Sequence, residues 1–176
     1  TTPTIGGLSG SVNLATKFTT GYSSVTALTL NPGTGVINTY SGVIANGAAG
    51  MTLTKTGSGT QVLSGANTYT GATTVTLGTL SLLASTFAPG SAAFIIGNVT
   101  VESGATLQTD RANMVGTLLT LNGGTWSETN GFGGSWIGPV TLGATSIISS
   151  GYGQTIAGNV SGPGGLTTIG TTTWNL

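Results

Sequence analysis

Six side chains carry full charge in this chain of 176 residues: Lys17, Lys55, Glu102, Asp110, Arg111 and Glu128. The three carboxylates are its whole stock for acid–base work. Glu102 and Asp110 lie eight residues apart, so they can approach across one turn of chain. Two carboxylates at a set separation hydrolyse glycosidic bonds, which makes this pair the candidate for an enzyme acting on polysaccharide. The plainer reading is preferred, with Glu102 an exposed strand residue and Asp110–Arg111 a solvated turn pair. Histidine and cysteine are both absent. A Ser-His-Asp triad, an imidazole-bound metal, a thiolate zinc site and a disulfide are therefore impossible. A calcium ion needs six to eight oxygen ligands, which three scattered acids do not supply. The runs GSG at 57–59 and GPGG at 162–165 read as turns rather than phosphate cradles, since no GxxxxGK[ST] loop is present. No cofactor, no metal and no enzymatic activity are expected.

Aromatic residues offer a different chemistry. Trp126, Trp136 and Trp174 either pack in a core or stack on sugars and partners, and packing is the default. The stretch GFGGSWIG at 131–138 is the best candidate for an exposed contact loop, with Phe132 and Trp136 as its contact residues. Near the end of the chain, Trp174 and Leu176 are candidates for an assembly end.

Composition narrows the partners. Charged residues are 3% of the chain, against about 25% in a typical soluble domain. The formal net charge is zero, which favours association between copies. Binding nucleic acid needs clusters of Lys and Arg, and adhesion to anionic lipid needs a basic patch. Neither exists here. No stretch approaches the ~20 apolar residues of a membrane helix, so no membrane insertion of this segment is expected. The chain opens on Thr1 without a signal peptide and reads as a processed or excised segment of an exported protein.

The elements that must position these residues are short strands. Thr74 to Leu77 alternates polar and apolar residues, Gly78 breaks the run, and Thr79 to Leu82 alternates again. Val99–Val101, Thr106–Leu107, Thr117–Leu121, Val140–Leu142 and Ser146–Ile148 repeat the pattern between Gly, Asn or Pro. VTVESGATLQ at 99–108 echoes VTLGATSIIS at 140–149, and TTVTLGTLSL at 73–82 echoes TLLTLNGGTW at 117–126. Strand, tight turn, strand is the grammar of solenoid rungs, in which like side chains stack about 4.8 Å apart. LTKTGSGTQVL at 53–63 also recurs as LTTIGTTTWNL at 166–176. The latter reads as a partial second copy, with the chain stopping partway through a recurring unit.

The block LTKTGSGTQVLSGANTYTGATTVTLGTLSL, residues 53–82, closely resembles the autotransporter-associated β-strand repeat, also called the passenger-associated transport repeat. Leu53, Thr54, Lys55, Gly57, Gly59 and Thr60 match its opening. Leu63, Ser64, Gly65, Asn67, Thr68, Tyr69, Gly71 and Thr73 match its middle, and Val75, Gly78, Thr79 and Leu80 its end. The resemblance implies an all-β fold, a right-handed parallel β-helix or solenoid over residues 1–176. It also implies a surface protein exported by a Gram-negative-type bacterium. On this reading Leu63, Val75, Leu77, Leu80 and Leu82 point inward. Gly57, Gly59, Gly65, Gly71 and Gly78 take positive φ at corners. Asn67 adopts left-handed geometry or joins a side-chain ladder, and Tyr69 caps a corner with a wet hydroxyl.

The expected function is structural: a β-helical subunit that associates with itself into an extracellular fibre or surface layer. Solenoid ends without polar caps template further pairing, and neither TTPTIGGLSG nor TTWNL reads as a cap. The alternative is a monomeric adhesin segment that binds glycans or a host surface.

Overall fold

The computed structural model describes residues 1–83, 95, 97–110, 113–114, 117–128 and 135–174. Its strands stack in parallel into a β-solenoid of about seven turns with almost no helix. The first sheet holds β1 (Thr4–Ile5), β2 (Ala27–Leu30), β4 (Thr52–Lys55), β6 (Thr73–Val75), β8 (Val99–Glu102), β11 (Leu119–Asn122), β14 (Val140–Ala144) and β16 (Val160–Ser161), in that order. The second holds β3 (Ile37–Tyr40), β5 (Thr60–Leu63), β7 (Gly78–Leu82), β9 (Ala105–Thr109), β12 (Thr125–Glu128), β15 (Ser146–Ile156) and β17 (Leu166–Trp174). Two short strands, β10 (Asn113–Met114) and β13 (Ser135–Trp136), pair with each other, and β13 pairs with the later half of β15. They add a third side to the later turns.

From β2 onward, each strand of the first sheet is followed along the chain by one of the second. Alternation decides which side chains meet. In the first sheet Ile5, Leu30, Lys55, Val75, Val101 and Leu121 lie in register along the interior. In the second, Gln61, Leu80, Leu107, Trp126 and Ile148 form the matching interior line. Leu30, Leu53, Leu63, Val75, Leu80, Leu82, Val99, Val101 and Leu107 are fully buried. β-branched and Leu side chains suit a pleated wall closed on one face, and their burial from water is the main stabilising term.

The outer face of the first sheet is as regular as its interior. Thr4, Thr29, Thr54, Thr74, Thr100, Thr120, Thr141 and Ser161 occupy one register position across all eight strands.

The expected short strands are present, except that β6 ends at Val75 rather than Leu77 and β11 begins at Leu119 rather than Thr117, and the echo between 99–108 and 140–149 is a true structural equivalence. Val99 and Val140 both flank Leu119, and Thr106 and Ile147 both flank Thr125. The partial copy at 166–176 is not equivalent. Leu53 stands in the first sheet, whereas Leu166 opens β17 in the second, beside Ser146. The shared letters mark strand composition, not a shared place in the turn.

The amino-terminal segment corrects a second expectation in part, because it caps the solenoid beside β3, while β1 stands as the outer strand of the first sheet. Gly10 bridges to Tyr40 at the edge of β3. A single helical turn, α1 (Leu14–Lys17), and a 3-10 turn at Tyr22–Ser24 follow. Leu8, Leu14, Tyr22 and Val25 are buried in the common core. The Leu14 amide donates to the Val43 carbonyl at 3.0 Å, and the Tyr40 hydroxyl donates to the Val12 carbonyl at 2.7 Å. This cap uses apolar residues and backbone hydrogen bonds, not the charge or helical amphipathicity by which a cap is read in sequence.

Candidate functional site

Residues 53–82 form two successive rungs, β4–β5 and β6–β7. They carry an unusual share of buried polar groups. Lys55, Gln61, Asn67, Thr73 and Ser81 are all buried, together with Tyr69.

Lys55 is the most demanding of these. It is the charged member of an otherwise apolar interior line and is fully buried. Its Nζ donates to the carbonyls of Thr56 at 2.7 Å, Gly57 at 2.9 Å and Leu77 at 3.0 Å. An ammonium has three donors, and these three acceptors satisfy them. Two carbonyls belong to its own corner and one to the next rung, so a single side chain ties two rungs together. Burial lowers its pKa from 10.5 to about 8, because a low-dielectric surround disfavours the charged form. Composition and spacing gave no sign of this, since Lys at an apolar position of an alternating strand is normally read as a polar-face residue.

Gln61 works in the same manner across a longer span. Its Oε1 accepts from the Leu8 amide at 2.8 Å, and its Nε2 donates to the Leu8 carbonyl at 2.9 Å and the Asn38 carbonyl at 3.2 Å. It holds the backbone of the cap as a strand neighbour would. Asn67 uses Oδ1 to accept from the Ile44 amide at 2.9 Å. Its role is to satisfy the preceding rung's backbone, while its Nδ2 has no hydrogen-bond partner among the described residues.

Three expectations for this block change. The Tyr69 hydroxyl is not wet: the residue is fully buried and its hydroxyl lies 2.6 Å from Thr73 Oγ1. Burial also pushes the phenol pKa up, against a smaller lowering by the Thr73 bond. Leu77 does not enter the core. It is 46% exposed, because it stands at the corner before Gly78 rather than on a strand. Only Gly57 and Gly78 take positive φ, at 70° and 65°. Gly59, Gly65 and Gly71 are required for close approach: a Cβ on Gly65 would strike the Gly42 carbonyl of the preceding rung.

The other candidate residues separate. Glu102 ends β8 and accepts from Asn122 Nδ2 at 3.2 Å. Asp110 follows β9 and is buried, so it is not a solvated turn residue. The extended run of β9 puts the two carboxylates a strand length apart, roughly 16 Å, too far to act on one bond. Trp136 is fully buried and meets Trp126 edge to face, ring centres 5.7 Å apart. Its Nε1 donates to the Thr117 carbonyl at 2.8 Å, and Trp126 Nε1 to Thr109 Oγ1 at 2.9 Å. Trp136 is thus a core residue and not a surface contact. Trp174 lies in β17 beside Ile156. Phe132, Arg111 and Leu176 fall outside the described residues. Among the described residues no group of His, Cys, Asp or Glu is placed to hold a metal, and no helix is long and apolar enough to cross a membrane.

Among known proteins, the family model of the Passenger-associated-transport-repeat matches residues 53–82. No curated protein and no solved structure matches the chain. The part of the chain that matches the passenger-associated transport repeat is thus the block in which Lys55, Gln61 and Asn67 tie successive rungs of the parallel β-solenoid together.

Proposed function

We propose that this chain is a structural segment of an extracellular, passenger-type surface protein, without enzymatic activity, that associates with copies of itself into a fibre or layer. The observation that carries the reading is the transport repeat built as two rungs of a continuous solenoid. A neutral chain with six charged side chains supports the self-association, because nothing repels a second copy at close range. The cell surface of a Gram-negative-type bacterium is the location that fits the family.

Negative-stain electron microscopy of the purified protein, paired with sedimentation velocity over a concentration series, tests this. Filaments of uniform width or defined oligomers are expected. Dispersed monomers at every concentration would overturn the self-associating reading and direct attention to glycan binding.

A further inference from the structure

We infer that the outer face of the first sheet is the surface through which two copies pack, threonine rank against threonine rank. This rests on the self-association proposed above and assigns it a place.

Seven threonines and a serine share one position over eight strands. From Thr29 to Thr141 each is half-buried by its neighbours, with its outer side open. A globular partner gains nothing from identical residues at every step. A second copy does, because it presents the same repeat of about 4.8 Å and can interdigitate methyl and hydroxyl groups along the whole length. Stacked identical side chains between paired sheets are the basis of dry, close-packed zippers.

Charge and area agree. Glu102 is the charged residue at the edge of this face, and its carboxylate is already engaged by Asn122. Seven inter-strand steps and strands of mostly four residues make a face of roughly 34 by 13 Å. A two-fold pair would bury about 900 Å², the size of a weak, reversible association. Such a pair is isologous: this contact alone gives the dimer that is the first step of the self-association, and a fibre or layer adds a second contact between dimers.

The opposite sheet fits less well. Val62 and Ser81 alternate with interior Gln61 and Leu80, so they belong to its outer side, yet both are buried. Part of that face is already covered by the chain itself.

Two sets of variants test the inference. In the first, Thr54→Lys, Thr100→Lys and Thr141→Lys are combined, on separated rungs so that like charges do not stack, and compared with Thr79→Lys plus Thr125→Lys on the second sheet. Sedimentation should show association weakened at least tenfold in the first and unchanged in the second. In the other, Thr100→Cys and Thr106→Cys are each treated with a short bismaleimide, which is clean in a chain without cysteine. Covalent dimers are expected from Thr100→Cys alone, and this arm decides if the lysine variant fails to fold. Association of the wild type that survives the first-sheet lysines, or crosslinking through Thr106→Cys instead, overturns this surface and leaves the proposed function standing. A wild type that never associates overturns both.

Discussion

Lys55 places a charge where the fold offers only backbone carbonyls. Its pKa falls to about 8 from 10.5, so above pH 8 the folded protein sheds this proton before the unfolded chain does. The unfolded state then binds more protons, and stability rises with pH across that window. Tyr22, Tyr40 and Tyr69 have raised pKa values, chiefly through burial. They act in the opposite sense above pH 10, where the unfolded phenols ionise first. Urea denaturation between pH 8 and 10 should therefore show a gain of up to about 2 kcal/mol, and Lys55→Met should abolish the gain. Tyr69 and Thr73 give a second test. Tyr69→Phe strands the buried Thr73 hydroxyl and should cost about 1–3 kcal/mol. Adding Thr73→Val should recover part of that loss, measured as a coupling energy in a double-mutant cycle. Two glycines separate conformation from space. Gly104 has φ 77° with nothing near its missing Cβ, whereas Gly65 has the Gly42 carbonyl in the way. Gly104→Ala should cost about 1–2 kcal/mol, and Gly65→Ala at least about 3 kcal/mol, both read from denaturation midpoints.

At the scale of elements, the strands were legible because polar–apolar alternation is a local signal. Thr79 to Leu82 and Val99 to Leu107 declare their inward faces by period alone. What sits beside each strand was not legible. The cap over the first turns depends on Gln61 reaching Leu8 and on Tyr40 reaching Val12, contacts between residues far apart in the chain. Leu77 and Val75 look alike in sequence, yet only Val75 enters the core, since the corner falls between them. The cap should behave as a separable unit. Gln61→Ala removes both hydrogen bonds to Leu8, and the amides of Leu8 and Leu14 should then exchange faster while Leu107 and Leu121 keep their protection. Loss of protection throughout would mean that the cap and the rungs unfold together.

For the whole molecule, stability comes from rung-on-rung burial, with little electrostatic contribution. The melting temperature should change little between low and high sodium chloride, since salt screens exposed charges and this chain has few. A large dependence would point to charge contacts beyond the described residues. Composition and alternation by themselves determined an all-β chain of short strands, internal similarity favoured a solenoid over a sandwich or barrel, and the order of residues 53–82 carried the resemblance to the passenger-associated transport repeat. Those are properties of single strands and of one contiguous block. The tertiary structure alone decided which side chains face one another across turns of about 20 to 26 residues. It turned Trp136 inward, parted Glu102 from Asp110, buried Lys55 against three carbonyls, and aligned the outer threonines into one rank. The physical reason is that turns of unequal length set the register between rungs. A sequence pattern of period two reports the face of each strand but not its neighbour.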